Sequence, residues 1–273
     1  MKHLKRAFAG AASTLLAMSS AVFGANSAAP AGSERDIQQI VQSGTIQICS
    51  TGDYLPFTHL DLQGNWSGLD IDMAQTLSQD LGVRLDLVQT TWATLMQDLG
   101  AKCDMAVGGI TITPDRAQQA LFSAPLLEDG KAAIVRCEDA SQYTSLATID
   151  QPGVRVVVNP GGTNYDFDRA NIKQAQILVY PDNNTIFEQL TNDQADVMIT
   201  DASEIRYQTK NNPRLCGGGD TVDHPFTSEQ KAYLIPQGNQ GLQQRVNQWL
   251  ARAENDGTYA KISEKWTGSA LTP

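Results

Sequence analysis

Short apolar runs alternate with amphipathic segments along most of this chain, and this alternation is what most constrains its fold. Runs at 45–50, 84–88 and 105–108 have the length of strands, and the segments 70–81 and 91–99 between them have helical spacing. A strand-helix-strand connection places neighbouring strands in parallel, so the pattern predicts a parallel α/β lobe.

A second set of the same kind follows. Its predicted elements are strands at 132–135, 154–158, 177–179 and 197–200, and helices at about 165–171 and 184–191. After an apolar run at 231–235, the chain closes with amphipathic helices at 242–254 and at about 259–266. Strands and helices thus continue to alternate, which predicts a second α/β lobe.

The apolar strands 132–135 and 232–235 bracket the second set, which suggests that the chain leaves one lobe, builds the other and returns. Two parallel crossings would make a hinge, with a ligand bound between the lobes at the carboxyl ends of strands. The expected division is lobe 1 at 34–130 plus 237–273, with the hinge strands and lobe 2 at 131–236.

The start of the chain has the features of an export signal. Lys2, Lys5 and Arg6 precede a small apolar run at 7–21, and small residues follow at 22–24. The run is shorter than the ~20 residues that a spanning helix needs. We therefore expect a cleaved signal peptide at 1–25, a periplasmic protein and no membrane association after cleavage.

Charge limits the partners. The chain has 20 basic and 30 acidic residues, and removing the basic signal makes the balance more negative still. The sequence predicts no nucleic-acid partner, because phosphate binding depends on clustered lysine and arginine. A small anionic ligand fits only where a few basic side chains are focused in a cleft. A homo-oligomer is compatible with the sequence.

Cys49, Cys103, Cys137 and Cys216 lie beyond the expected signal, where thiols of an exported chain tend to oxidise. Cys216 lies in a loop at 213–219 and Cys137 follows an apolar strand, so these two are the favoured disulfide. Cys49 and Cys103 adjoin strand-like runs and could be a bridge or two core thiols. Without a CxxC pair and with only two histidines after the signal, the sequence predicts no metal and no cofactor.

Two acids follow the buried strand at 197–200. Asp201 comes at the strand end and Glu204 on the next turn, so both could face one ligand. Asp201 could instead be only a helix N-cap, and Glu204 only a solvated carboxylate at a helix start. One acid is enough to hold a ligand, whereas a second one allows acid chemistry.

Anion binding is suggested at two helix starts. Thr113 reads as an N-cap with proline next, which places Arg116 in the first turn as a bidentate carboxylate receptor. Arg116 could instead be a surface residue paired with Asp115 or Glu128. The Gly-Gly-Thr-Asn turn at 161–164 precedes another predicted helix and could hold a second carboxylate through its backbone N–H groups.

Several segments carry a family resemblance. The chain resembles periplasmic amino-acid-binding proteins of the type II fold in GLDIDMA at 68–74, GITITPDR at 109–116, FSAP at 122–125 and NDGTYAKI at 255–262. Within that superfamily it resembles the exported cyclohexadienyl dehydratases in TGDYLPF at 51–57, IDQPG at 149–153, NPGGTN at 159–164, RAN at 169–171 and TDASE at 200–204. The resemblance implies two lobes, each a mostly parallel sheet with helices on both faces.

The resemblance to dehydratases implies loss of water and carbon dioxide from prephenate or arogenate, without a metal. Glu204 falls at the family's catalytic acid, and Asn159 would hydrogen-bond the reacting hydroxyl or a carboxylate. Arg116 falls at the family's anion clamp. Asp201 corresponds to the acid that takes the ligand's ammonium in binding proteins, and here would position Glu204 and help keep it protonated.

The remaining substrate contacts are less specific. Lys131, at the start of the crossing, could neutralise the second carboxylate or simply be solvated. Neutral donors are expected from Thr111, Thr163 and Asn164, and an aromatic wall from Tyr54, Phe57 and Trp92. Phe57 could instead be ordinary core. The competing function is a receptor that delivers an amino acid to an ABC importer, which needs Arg116 and Asp201 but not Glu204.

Overall fold

A computed structural model describes residues 35–271. The expected signal peptide at 1–25 lies outside the described residues. The strands are β1 (Thr45–Ser50), β2 (Asp53–Tyr54), β3 (Thr58–Leu60), β4 (Trp66–Ser67), β5 (Arg84–Gln89), β6 (Met105–Ala106), β7 (Ala120–Phe122), β8 (Leu127–Asp129), β9 (Lys131–Arg136), β10 (Arg155–Val158), β11 (Gln176–Val179), β12 (Val197–Asp201), β13 (Leu215–Gly217), β14 (Glu229–Lys231) and β15 (Leu234–Pro236).

Helices occupy most of the connections, and a short 3₁₀ turn follows β9 at Cys137–Asp139. The α-helices are α1 (Ile37–Ser43), α2 (Leu69–Leu81), α3 (Leu95–Asp98), α4 (Pro114–Ala117), α5 (Leu146–Ile149), α6 (Thr163–Asn171), α7 (Ile186–Thr191), α8 (Ala202–Asn211), α9 (Gln240–Asn255) and α10 (Thr258–Thr267). None of these described helices is both long and apolar enough to cross a membrane.

Two five-stranded sheets form the framework, and they confirm the two-lobed α/β architecture. The first has the order β5-β1-β6-β15-β7 and the second β11-β10-β12-β9-β13. In each sheet, three strands on one side pair in parallel and the remaining pairings are antiparallel. Because β15 and β9 are each antiparallel to both of their neighbours, four of the five strands in each sheet run in one direction, which confirms the mostly parallel sheets. The reversed strand of each sheet is the one that follows a crossing.

The crossings differ from the expected hinge strands. The run Ala132 to Val135 belongs to β9 in the second sheet, and Leu234–Pro236 belongs to the first. The two crossings lie just before these runs, where β8 and β14 form a separate antiparallel two-stranded sheet with Leu127 opposite Lys231. The chain thus rejoins the first sheet at β15, before the boundary expected at 237.

Alternation along the strands explains why both faces of each sheet are covered. In β9, Ala132 and Ile134 pack on one face, whereas Ala133 and Val135 pack on the other. In the first sheet, Ile48 and Cys49 likewise enter different clusters. Strands buried on both faces read as continuous apolar runs, which is how they were recognisable in the sequence.

Most predicted elements are present, but two have only about half of the expected length. The helix expected at 91–99 is only α3, because Thr91 and Thr94 hydrogen-bond each other in a turn before it. Threonine side chains compete with helical backbone bonds in this way. The strand expected at 105–108 ends at Ala106, and the turn that follows is held by Asp70, which accepts from the N–H groups of Gly108 and Gly109.

Both disulfides are formed. Cys137 and Cys216 are bonded with their Cα atoms 4.7 Å apart, which confirms the favoured pair. Cys49 and Cys103 are also bonded, with Cα atoms 5.6 Å apart, so the bridge rather than two core thiols is the correct alternative. Cys216 lies in the edge strand β13 and not in a loop.

Candidate functional site

A narrow cleft lies where the carboxyl ends of strands from both sheets meet. Its free volume is about 20 Å³, close to the room that one water molecule needs. Its wall is formed by Tyr54, Trp92, Gly109, Thr111, Arg116, Asn159, Gly162, Thr163, Asn164, Asn183 and Asp201. Eight of the eleven site residues that were predicted from the sequence are in that wall.

Asp201 is the centre of the charged groups. Its Oδ1 accepts a hydrogen bond from Lys131 Nζ at 2.6 Å, and its Oδ2 accepts from Lys231 Nζ and from the Tyr54 hydroxyl. Burial alone would raise the pKa of Asp201, but the two lysines hold it well below its usual range. Its side chain makes no N-cap bond to α8, so the capping alternative is wrong.

The two lysines reach Asp201 from different elements. Lys131 begins β9 and Lys231 ends β14, and both side chains are almost completely buried. Lys131 also donates to Thr163 Oγ1 at 2.9 Å and to Asn164 Oδ1 at 2.7 Å. The solvated alternative for Lys131 is therefore wrong, and its three protons are used in holding Asp201 against the start of α6.

Lys231 was not identified from the sequence. Its Nζ donates to Thr111 Oγ1 at 2.7 Å as well as to Asp201. Burial lowers the pKa of Lys231, but Asp201 and then Asp129 raise it overall, so the side chain is charged. One sequence feature could have identified Lys231. Lys131 and Lys231 are each followed by alanine at the start of an apolar run, and these runs lead into the second sheet and back into the first.

Glu204 is buried at the start of α8, with 1% of its surface exposed. Burial raises its pKa well above the usual range, a hydrogen bond from Thr200 opposes that shift, and the charge of Asp201 adds to it. Thr200 Oγ1 donates to Glu204 Oε2 at 2.5 Å and accepts from Asn164 Nδ2 at 2.8 Å. Glu204 is thus an uncharged acid that connects to the cleft wall through Thr200 and Asn164. It is not itself in that wall, and the solvated alternative is wrong.

Arg116 supplies a guanidinium to the wall. Thr113 caps α4 as predicted, accepting from the Arg116 N–H at 3.2 Å. Arg116 Nη1 donates to the Thr111 carbonyl at 2.9 Å, and within the described residues no carboxylate pairs with it. Burial lowers the pKa of Arg116, which nevertheless stays cationic at neutral pH. The remaining guanidinium protons can bind an anion.

The start of α6 provides a second anion site. Gly162 is the N-cap residue and no side chain caps the helix, so the first-turn N–H groups of Thr163 and Asn164 remain open. Gly161 has φ 87°, and a Cβ there would lie 2.9 Å from the backbone of Ala93. Only glycine allows this approach, which brings α6 against the Trp92 side of the cleft.

Aromatic rings form one side of the cleft. Tyr54 and Trp92 meet edge to face with centroids 5.4 Å apart, and both are in the wall. Phe57 stacks beneath Tyr54, with centroids 5.7 Å apart, and belongs to the core, as its alternative interpretation held. Trp92 Nε1 donates to Asp53 Oδ1 at 3.1 Å, and burial raises the pKa of Asp53.

Two amides complete the opposite wall. Asn159 follows β10 and donates to the Pro181 carbonyl at 3.1 Å. Asn183 donates to the Asp53 carbonyl at 2.9 Å, across to the first-sheet side, while its own Oδ1 is buried and makes no hydrogen bond within the described residues. Asn183 had no distinguishing signal in the sequence beyond its place in a turn.

Further buried acids surround the cleft. Asp129 accepts from Ser203 Oγ at 2.5 Å and lies 3.9 Å from Lys231 Nζ, and burial raises its pKa. Asp168 lies one turn after Asn164 on α6, is fully buried and has no hydrogen-bond partner within the described residues. Burial raises the pKa of Asp168 to about 8. Within residues 35–271, the His, Cys, Asp and Glu side chains form no cluster of three or more that could hold a metal ion.

The fold and this cleft define a class. The family model of bacterial extracellular solute-binding proteins, family 3, matches residues 46–269, and the chain belongs to that family. It is 44% identical over 234 residues to the cyclohexadienyl dehydratase of Pseudomonas aeruginosa, covering 85% of this chain and 86% of that protein. It is also 28% identical over 239 residues to the L-cystine-binding protein TcyJ of Escherichia coli, covering 86% of this chain and 87% of that protein.

The similar solved structures likewise include both a binding protein and a dehydratase. An ancestral amino acid-binding protein, described as a precursor of cyclohexadienyl dehydratase, has a TM-score of 0.78 and 31% identity, over 85% of this chain and 99% of its own. An ancestral cyclohexadienyl dehydratase has a TM-score of 0.53 and 45% identity, over 85% of this chain and 96% of its own. The relatives thus include both receptors and an enzyme that share this fold.

Proposed function

We propose that the protein is a periplasmic cyclohexadienyl dehydratase, converting prephenate to phenylpyruvate, arogenate to phenylalanine, or both. Glu204 is the observation that carries the proposal, because a buried, uncharged carboxyl next to a cationic cleft is what acid-catalysed loss of a hydroxyl from an anion requires. The 44% identity to a dehydratase supports the same activity.

The reaction balances with one proton. Glu204 gives its proton to the ring hydroxyl, the C–O bond breaks and water leaves. The bond from the ring to its carboxylate also breaks, its electron pair enters the ring, and carbon dioxide leaves as the ring becomes aromatic. Solvent then returns a proton to Glu204. Aromatisation drives the reaction, so the protein needs to supply an acid and a fixed substrate position, and we expect no metal requirement.

The two substrate carboxylates have separate sites. Arg116 offers a fork of N–H donors to one carboxylate, and the open start of α6 with the Thr163 hydroxyl receives the other. Asn159 adds an amide donor to the cleft. Tyr54 and Trp92 provide a flat wall for the ring. With the narrow cleft opened, the substrate hydroxyl would reach Glu204 from the Asn164 side.

The experiment is to incubate the mature protein with prephenate and follow phenylpyruvate, with and without a metal chelator. Turnover should be unaffected by the chelator and should fall by about 10²-fold or more in Glu204→Gln. Glu188→Gln, which changes an exposed glutamate on α7, is the matched control and should retain activity. Absence of turnover by the wild-type protein would contradict the proposal.

An amino-acid receptor is the second candidate, favoured by relatives such as the L-cystine-binding protein. Calorimetry with L-cystine, L-arginine and L-histidine tests it directly. Tight binding of one of these, together with no prephenate turnover, would establish the receptor function instead. Glu204 argues against this candidate, because holding an amino acid has no use for a buried protonated acid.

A further inference from the structure

Asp201 is the only acid among the described residues that form the cleft wall. A carboxylate has about four acceptor positions, and three of those on Asp201 are taken by Lys131, Lys231 and the Tyr54 hydroxyl. All three partners belong to the protein and are buried. The carboxylate of the wall is therefore shared by two lysine ammonium groups, and its negative charge is already more than balanced before a substrate cation arrives.

A substrate ammonium is poorly matched to this arrangement. It would approach two lysine ammonium groups that already contact Asp201, and like charges in a buried site oppose each other. A carbonyl oxygen finds the opposite environment, since Arg116 and the Asn159 amide lie in the same wall and each has N–H protons beyond the one that it donates to a protein carbonyl. The cleft is arranged for oxygen atoms that accept hydrogen bonds.

We infer that the cleft selects the 2-oxo side chain of prephenate over the 2-amino side chain of arogenate, and that Lys231 is the residue that sets this selection. The inference rests on the proposed dehydratase function and refines its substrate. It also predicts that free amino acids bind weakly, because they carry the same ammonium.

Lys231 is assigned this role rather than Lys131 because of their other contacts. Lys131 also binds Thr163 and Asn164, so its loss would disturb the start of α6. Apart from Asp201, Lys231 has one close hydrogen-bond partner, Thr111 Oγ1. Removing the Lys231 ammonium would free one acceptor position on Asp201 Oδ2, which would still accept from the Tyr54 hydroxyl, and would leave space that a substrate ammonium could occupy.

The first test uses the wild-type protein and compares kcat/KM for prephenate and for arogenate. Prephenate should be favoured by at least about tenfold, since a site that cannot pair a substrate's polar group discriminates strongly against it. Equal values, or a preference for arogenate, would overturn the selection while leaving the dehydratase function standing. Turnover of neither substrate would instead overturn the dehydratase function.

Binding of the two products tests the selection without any turnover. Calorimetry should show phenylpyruvate binding more tightly than L-phenylalanine by a similar factor. Tighter binding of L-phenylalanine would overturn the inference even in a protein that proved inactive on both substrates.

The variant Lys231→Met tests whether Lys231 sets the preference for prephenate over arogenate. In the folded protein, the ratio of kcat/KM for prephenate to that for arogenate should fall at least about tenfold. Lys261→Met, on the exposed side of α10, is the matched control and should keep the wild-type ratio. If Lys231→Met does not fold, Lys231→Gln keeps a donor near Asp201 without the charge. An unchanged ratio in either folded variant would overturn the role of Lys231.

Discussion

Lys131 and Lys231 donate to opposite oxygens of one carboxylate, that of Asp201, although one lysine begins a strand of the second sheet and the other ends a crossing strand. The three side chains are buried and form a compact ionic group. A buried ion pair that loses one partner leaves uncompensated charge, which costs more than the pair itself contributes.

Asp201→Asn should therefore destabilise the protein by roughly 3–5 kcal/mol, because two buried lysines lose their counter-charge. Urea unfolding at neutral pH measures this change. Asp223→Asn is the control, since Asp223 pairs with Arg206 at the exposed surface, and such pairs contribute only about 0–1 kcal/mol. A similarly small change in the free energy of unfolding in both variants would show that the buried ionic group does not stabilise the protein as expected.

Thr200 should tune the acid. Its hydrogen bond lowers the pKa of Glu204, so Thr200→Val should raise that pKa further. Activity requires protonated Glu204 and declines as pH rises through its pKa, so the alkaline limb of the kcat/KM profile should move to higher pH in Thr200→Val. Thr200→Ser keeps the hydroxyl and should leave the limb in place. A limb that moves to lower pH would mean that another group is the acid.

Arg116 should act mainly in binding. Removing a charged hydrogen-bond donor to a carboxylate costs about 1.5–3 kcal/mol, so Arg116→Ala should raise KM by roughly 10- to 100-fold. Arg116→Lys should restore only part of the loss, because lysine lacks the planar fork. Steady-state kinetics with prephenate measures both variants, with Arg252→Ala, an exposed arginine paired with Asp80, as control. An unchanged KM in Arg116→Ala would remove Arg116 from the substrate site.

Asp168 should make stability depend on pH. Its folded-state pKa of about 8 lies above the value near 3.9 expected in the unfolded chain, so between these values the folded state holds a proton that the unfolded state has released. The free energy of unfolding therefore includes a contribution from protonated Asp168 that is present in full below about pH 4. This contribution is lost as pH rises towards 8, at up to about 1.4 kcal/mol per pH unit. Asp168→Asn should flatten this part of the stability profile in urea unfolding, and exposed Asp220→Asn should not.

The sequence predicted the two lobes because strands buried on both faces appear as uninterrupted apolar runs, such as the run at 197–199 that begins β12. It predicted the Arg116 site because Thr113 and Pro114 mark a helix start through local chemistry alone. Lys231 was not predicted as a site residue, because its role depends on Asp201, which lies far from it in the sequence. A lysine before a strand has the same local pattern whether it is solvated or bound to Asp201.

The helix expected at 91–99 failed for a related reason. Its apolar spacing is helical, but hydroxyl groups at Thr90, Thr91 and Thr94 bond one another and Asp98, and they keep the first part of the segment as a turn. That turn places Trp92 in the cleft wall. Side-chain bonding over several residues overrides the weak helical preference of the segment.

The positions of the two disulfides determine how the protein can move. Cys49–Cys103 joins segments of the first sheet and Cys137–Cys216 joins segments of the second, and within residues 35–271 no bridge links the two. Each half is cross-linked internally, while the main-chain crossings are the only covalent connections between the halves. Opening the cleft to admit a six-membered ring therefore requires no disulfide to be reduced.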